Sequence, residues 1–153
     1  MVAAYANDNW SQPNLQPARE DLDLSLQNVT VDTFVKNLQE NITTDSLDFD
    51  IQVLNGDSSK LGKKDFKHDV NIIFYDGDNS EKKMLEFFRN MLEYTAKVFT
   101  LVIDDANIEE NVKITKTWVE EHGIKIMYER ELLNDQEDAN MWWNGLYVLV
   151  LAK

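Results

Sequence analysis

"NIIFYDGDNSEKK", residues 71–83, runs an apolar stretch from Ile72 to Tyr75 straight into Asp76-Gly77-Asp78, and a segment with helical spacing follows at once. A buried strand that reaches water can end in any small polar residue. Two carboxylates around a glycine, with a helix behind them, put charged oxygens at the mouth of a sheet, where α/β proteins hold their ligands. The device recurs in "LVIDDAN", residues 101–107, where a second apolar run stops at Asp104-Asp105. Asp, Asn and Gly are also ordinary turn formers, and Asp caps helices. At any one position that plainer role is sufficient; its repetition at several strand ends argues for a site.

Working outward, "VNIIFY" (70–75) and "VFTLVI" (98–103) are continuous apolar runs of the kind found in strands buried on both faces. Between them, Ser80 is placed to cap a helix over 81–96, with Met84, Leu85, Phe88, Met91 and Leu92 on one side. A further helix is expected over 108–122, stopped by His122-Gly123. "IKIMYERELL" (124–133) and "LYVLVLA" (146–152) read as strands with only the acidic turn "NDQEDAN" between them, so they are expected to pair as an antiparallel hairpin. Upstream, "VAAYA" (2–6) and "FDIQVL" (49–54) read as strands. A Pro13/Pro17 loop, a helix over 29–41 and a short helix before residue 70 complete the order. Strands alternating with helices predict an α/β fold with a mostly parallel sheet, covered on both faces and closed by the antiparallel hairpin. The acids at 8, 57, 76, 78, 104 and 105 all follow strands.

A chain of 153 residues with 43% hydrophobic content is read as one domain, residues 1–153. The sequence has no cysteine, hence no disulfide and no thiolate chemistry. With 28 acidic against 15 basic residues the formal charge is −13, which disfavours nucleic acid and anionic membrane as partners. The lysines of "KLGKKDFKH" (60–68) are flanked by acids and read as a solvated loop. Neither a signal peptide nor a long apolar span is evident, so a cytoplasmic location is expected. His68 and His122 read as surface residues, and neither a GxSxG elbow nor a Walker phosphate loop occurs. Carboxylates at strand ends suit three tasks: accepting ribose hydroxyls, ligating a hard cation, or acting as a general base. Trp142, Trp143 and Asn144, ahead of the last strand, are candidates for the wall of a substrate pocket, with packing under the sheet edge as the plainer alternative.

"VNIIFYDGDNSEKKMLEFF", "FTLVIDDAN" and "WWNGLYVLVLAK" together resemble the class I S-adenosylmethionine-dependent methyltransferases. The resemblance is nearest to the bacterial and viral group whose fourth strand ends in a DGDH-like motif and whose fifth ends in a DDWN-like one. It is specific in the second half of the chain and loose before residue 48. It implies a Rossmann-like sheet whose last strand is antiparallel, with S-adenosylmethionine as cofactor and a small molecule as methyl acceptor. By position, it implies that Asp8 receives the cofactor ribose, Asp57 the adenine amino group, and that Asp76 lies near the methyl-donor end. Asp76 and Asp78 become the candidate catalytic carboxylates. Metal-dependent relatives hold Mg²⁺ at the places of Asp76, Asp104 and Asp105. The sequence departs from the group at Asn79, where histidine is usual, and at Ala106, where tryptophan is usual. No glycine stands in a GxGxG-like turn; the five lie at 56, 62, 77, 123 and 145. The resemblance therefore implies an N-terminally truncated sheet lacking the family's first strand. Exposed strand edges would then favour a homodimer. The alternatives are a non-catalytic, degenerate Rossmann-like binding or assembly module and, more weakly, a dinucleotide-type binder.

Overall fold

The computed structural model describes residues 2–8, 36, 49–133 and 144–153. The chain divides into two compact units, 1–58 and 59–153. In the first, β1 (Val2–Asp8) and β2 (Phe49–Asn55) pair in parallel, with Val2 opposite Phe49 and Asp8 opposite Asn55. Both strands therefore end on the same side, and Asp57 follows two residues past β2. The helix expected over 29–41 lies outside the described residues except for Lys36, which is helical.

The second unit holds β3 (Val70–Tyr75), α1 (Glu81–Tyr94), β4 (Thr95–Asp104), α2 (Glu109–Glu121), β5 (Lys125–Leu132) and β6 (Leu146–Ala152). Its sheet has the order β3-β4-β6-β5. β3 is parallel to β4, and β6 is antiparallel to both β4 and β5. Strands β3, β4 and β5 thus share one direction and only β6 is reversed. The expected hairpin of the last two strands is present, and β6 is inserted between β4 and β5. In the first unit the described sheet has the order β1-β2. Two short 3₁₀ turns, Ser58–Lys60 and Lys63–Asp65, stand where a short helix was expected. Each turn is three residues long and Gly62 lies between them, which leaves no room for an α-helical repeat.

Strand alternation sends Ile73, Tyr75, Phe99, Leu101, Ile103, Tyr147, Leu149 and Leu151 to one face of the sheet, all buried in one apolar core. Both helices deliver their apolar stripes to it: Met84, Phe87, Phe88 and Met91 from α1, and Val112, Trp118 and Val119 from α2. Phe88 and Trp118 join the two helices, with ring centroids 5.0 Å apart. The other face departs from expectation. Ile72 is 68% exposed and Phe74 and Val98 are each 49% exposed, so these apolar runs are not buried on both faces. Among the described residues of the second unit, α1 and α2 both pack on the other face, which an apolar run cannot reveal because both of its faces read alike.

Candidate functional site at the strand ends

Three loops of the second unit meet at the carboxyl ends of β3 and β4 and the start of β6. The first follows β3. Tyr75 is buried, and its hydroxyl donates to the carbonyl of Asp78 at 2.8 Å, so the ring lies beneath the loop. A Cβ on Gly77 would meet the Tyr75 ring at 2.9 Å, which is why glycine is the residue between the two acids. Ser80 is the N-cap residue of α1, as expected, but its hydroxyl makes no capping bond. Its N–H instead donates to Asp78 Oδ1 at 2.8 Å, an Asx-type turn. Asp76 and Asp78 are both exposed.

The second loop follows β4. Tyr75 pairs with Ile103, so Asp76 and Asp104 are the next positions on adjacent parallel strands. Asp105 has φ +57°, a left-handed conformation that Asp tolerates better than most residues. Its carbonyl accepts from the Ile108 N–H at 3.0 Å and from Asn111 Nδ2 at 3.2 Å. Its carboxylate accepts from Asn79 Nδ2 at 2.6 Å, tying the β3 loop to the β4 loop. The third loop is fastened to the second: the Ala106 N–H donates to the Gly145 carbonyl at 3.2 Å and the Asn107 N–H to the Asn144 carbonyl at 2.9 Å. These bonds continue the β4–β6 ladder past its last pair, Asp104 with Leu146.

Of the sequence candidates, this geometry brings Asp76, Asp78, Asp104, Asp105 and Asn144 to one rim. Asp8 and Asp57 belong to the other compact unit, where Asp8 is the last residue of β1 and Asp57 lies two residues past β2. Trp142 and Trp143 lie outside the described residues. Among the described residues no group of three or more His, Asp or Glu side chains is gathered closely enough to hold a metal ion. The carboxylate of Asp105 is taken up by Asn79 instead, so the arrangement does not fit a three-carboxylate cation site.

Sequence reasoning treated Asn79 as a loss, because a histidine was expected there. In the structure it is the cross-link between two rim loops. Asn111 was missed altogether. It is 1% exposed, and its side chain braces the left-handed turn at Asp105. Its one legible signal is an asparagine on the buried face of an amphipathic helix.

A second polar cluster lies away from the rim. Lys116 bridges Glu131 at 2.8 Å and Glu129 at 2.9 Å, and Glu129 accepts from the Tyr147 hydroxyl at 2.8 Å. The Lys116 ammonium also stands 5.3 Å from the Tyr147 ring centroid. Burial, and then the Glu129 bond, push the Tyr147 phenol well up, so it remains a donor. This cluster pins α2 to β5 and β6.

No protein-family model matches this sequence, and no curated protein matches it. Solved structures do match in fold. The O-methyltransferase NovP aligns with a TM-score of 0.59 at 11% identity, over 95% of this chain and 58% of its own. This chain therefore spans little more than half of NovP. A candidate RNA methyltransferase from Pyrococcus horikoshii aligns with a TM-score of 0.54 at 12% identity, over 99% of this chain and 74% of its own. A candidate methyltransferase from Streptococcus mutans, solved in complex with SAH, gives a TM-score of 0.50 at 14% identity, over 97% and 74%. The chain thus shares the α/β, Rossmann-like fold of these structures.

Proposed function

We propose that this chain is an S-adenosylmethionine-dependent methyltransferase-type domain that acts on a small-molecule hydroxyl or amine. The observation that carries the reading is the strand order β3-β4-β6-β5 with only β6 reversed, and the rim of acids and amides that its loops assemble. The same fold is found in the SAH complex from Streptococcus mutans. Carboxylates are acceptors of the kind that ribose hydroxyls need, and Asp76 and Asp78 stand exposed at this rim. In this reading Asp76 lies at the methyl-donor end of the cofactor and Asn144 borders the acceptor.

Such a donor, when bound, supplies an electrophilic methyl group on a sulfonium. The chain's own contribution is to align the acceptor in line with it and to take up the released proton, for which Asp76 and Asp78 are the candidate carboxylates. The formal charge of −13 favours a small acceptor over a polyanion.

A second reading, a non-catalytic Rossmann-like binding or assembly module, is favoured by the glycines, none of which stands in a GxGxG-like turn. Titration calorimetry with S-adenosylmethionine and S-adenosylhomocysteine separates the two. Saturable heat, weakened in Asp76→Ala, supports the methyltransferase reading. No heat at millimolar ligand removes it and leaves the module.

A further inference from the structure

We propose that Asn111 is a positioning residue for the loop after β3: it sets the direction of the Asp105 carboxylate and, through it, the place of Asn79. What this does to a bound methyl donor rests on the methyltransferase reading above; the positioning itself does not. Asn111 stands in the first turn of α2, 1% exposed, and donates from Nδ2 to the Asp105 carbonyl at 3.2 Å. Its Oδ1 has no hydrogen-bond partner among the described residues. A buried amide left half paired costs stability, and a leucine, branched in the same way, would leave no polar atom unpaired. Nor does the Asp105 carbonyl need Asn111 to be satisfied, since the Ile108 N–H donates to it at 3.0 Å. Stability alone is a poor reason for an amide here. What its Nδ2 does to Asp105 is a better one.

Asp105 is held at φ +57°, a backbone conformation that a side chain makes costly and that surrounding bonds must maintain. Its backbone angles direct its Cβ, and so the carboxylate that accepts from Asn79 Nδ2 at 2.6 Å. With the Ile108 bond alone the turn is free to relax, and the carboxylate swings with it. Asn79 follows that movement as part of a unit, because the Ser80 N–H donates to Asp78 Oδ1 at 2.8 Å across it. The fixed point is α2. The Thr115 hydroxyl donates to the Asn111 carbonyl at 2.7 Å, and Val112, Trp118 and Val119 anchor the helix in the core. Asn111 thus governs residues 78–80 from the helix through the β4 loop.

NMR of the full chain tests the positioning directly. Asp105→Ala gives the Asn79 side-chain amide signals without a carboxylate partner. Asn111→Leu is expected to shift those signals towards the same positions, with a urea midpoint no lower than that of the wild type. Should leucine overpack the site and prevent folding, Asn111→Val takes its place. Asn79 signals that stay at their wild-type positions overturn the proposal. Titration calorimetry with S-adenosylhomocysteine reads the consequence. Affinity is expected to fall roughly fivefold in Asn111→Leu. Adding Asn111→Leu to Asn79→Ala is expected to lower it no further, because the path is already cut. Additive losses overturn the path through Asp105. No heat from the wild type, with the Asn79 signals shifted in Asn111→Leu, upholds the positioning and removes the methyl-donor reading.

Discussion

Gly145 stands at φ +73°, and a Cβ there would sit 2.5 Å from Asn107 Oδ1. Both the backbone conformation and the space exclude a side chain, so Gly145→Ala is expected to destabilise the fold by about 1–3 kcal/mol, read by urea denaturation. Asn79 acts at the same rim. Asn79→Ala removes a donor to an ionised carboxylate, and about 1 kcal/mol is expected from a partly buried bond of this type. Any binding of S-adenosylmethionine should fall with it, because the two rim loops are no longer tied. At the other polar cluster, the Lys116 bond, and secondarily the Tyr147 hydroxyl, hold the Glu129 carboxyl below the usual carboxylate range. A depressed carboxyl stabilises the fold above its unfolded pKa, and that stability is lost as pH falls through the folded value. Lys116 is shifted the other way, upward, by Glu131 first and Glu129 second, so its contribution is lost only in strong alkali. In Lys116→Met, NMR titration of Glu129 should move upward and acid unfolding should lose part of its dependence on pH. An unmoved Glu129 would refute the pairing.

At the scale of elements, the ends of both helices are held by specific groups. α2 stops in a Schellman arrangement: Gly123, at φ +63°, donates to the Glu120 carbonyl at 3.1 Å and Ile124 donates to Val119 at 3.1 Å. The pattern His122-Gly123 made this stop legible in advance. α1 ends differently. The Lys153 ammonium reaches back to the carbonyls of Leu92 and Thr95, the latter at 2.6 Å, and to Thr95 Oγ1 at 3.1 Å. A cation on the last carbonyls of a helix offsets the negative end of its dipole. Lys153→Met is expected to cost roughly 0.5–1 kcal/mol, measured by thermal or urea unfolding. No local pattern announces this contact, since 58 residues separate Lys153 from Thr95. The strands themselves were legible because continuous apolar runs bounded by Asp, Asn and Gly leave little else for them to form. The boundaries moved by a residue or a few: β4 begins at Thr95 rather than Val98, and α1 ends at Tyr94 rather than 96.

For the whole of the second unit, stability rests on one core between a single sheet face and two helices. Phe88 is fully buried and touches the Tyr75, Phe87 and Trp118 rings, so Phe88→Ala is expected to cost about 3–5 kcal/mol in chemical denaturation. β4 and β6 are the inner strands, and their amides should be the slowest to exchange with deuterium. The sheet face that carries Ile72, Phe74 and Val98, on which neither α1 nor α2 packs, is where sequence reading and structure part company.

What the sequence determined by itself was local and periodic: which segments are strands and helices, where acids interrupt them, and that the final two strands run antiparallel. Those features follow from side-chain alternation, caps and glycine stops, all of which act within a few residues. Tertiary structure alone decided that both helices share one face, that β6 lies between β4 and β5, and that Asn79 reaches Asp105 across 26 positions. It also showed that the acids of β3 and β4 share a rim bound by amides and backbone, without a cation cluster among the described residues. Contacts between distant segments depend on register and helix placement, and an apolar run with two like faces encodes neither.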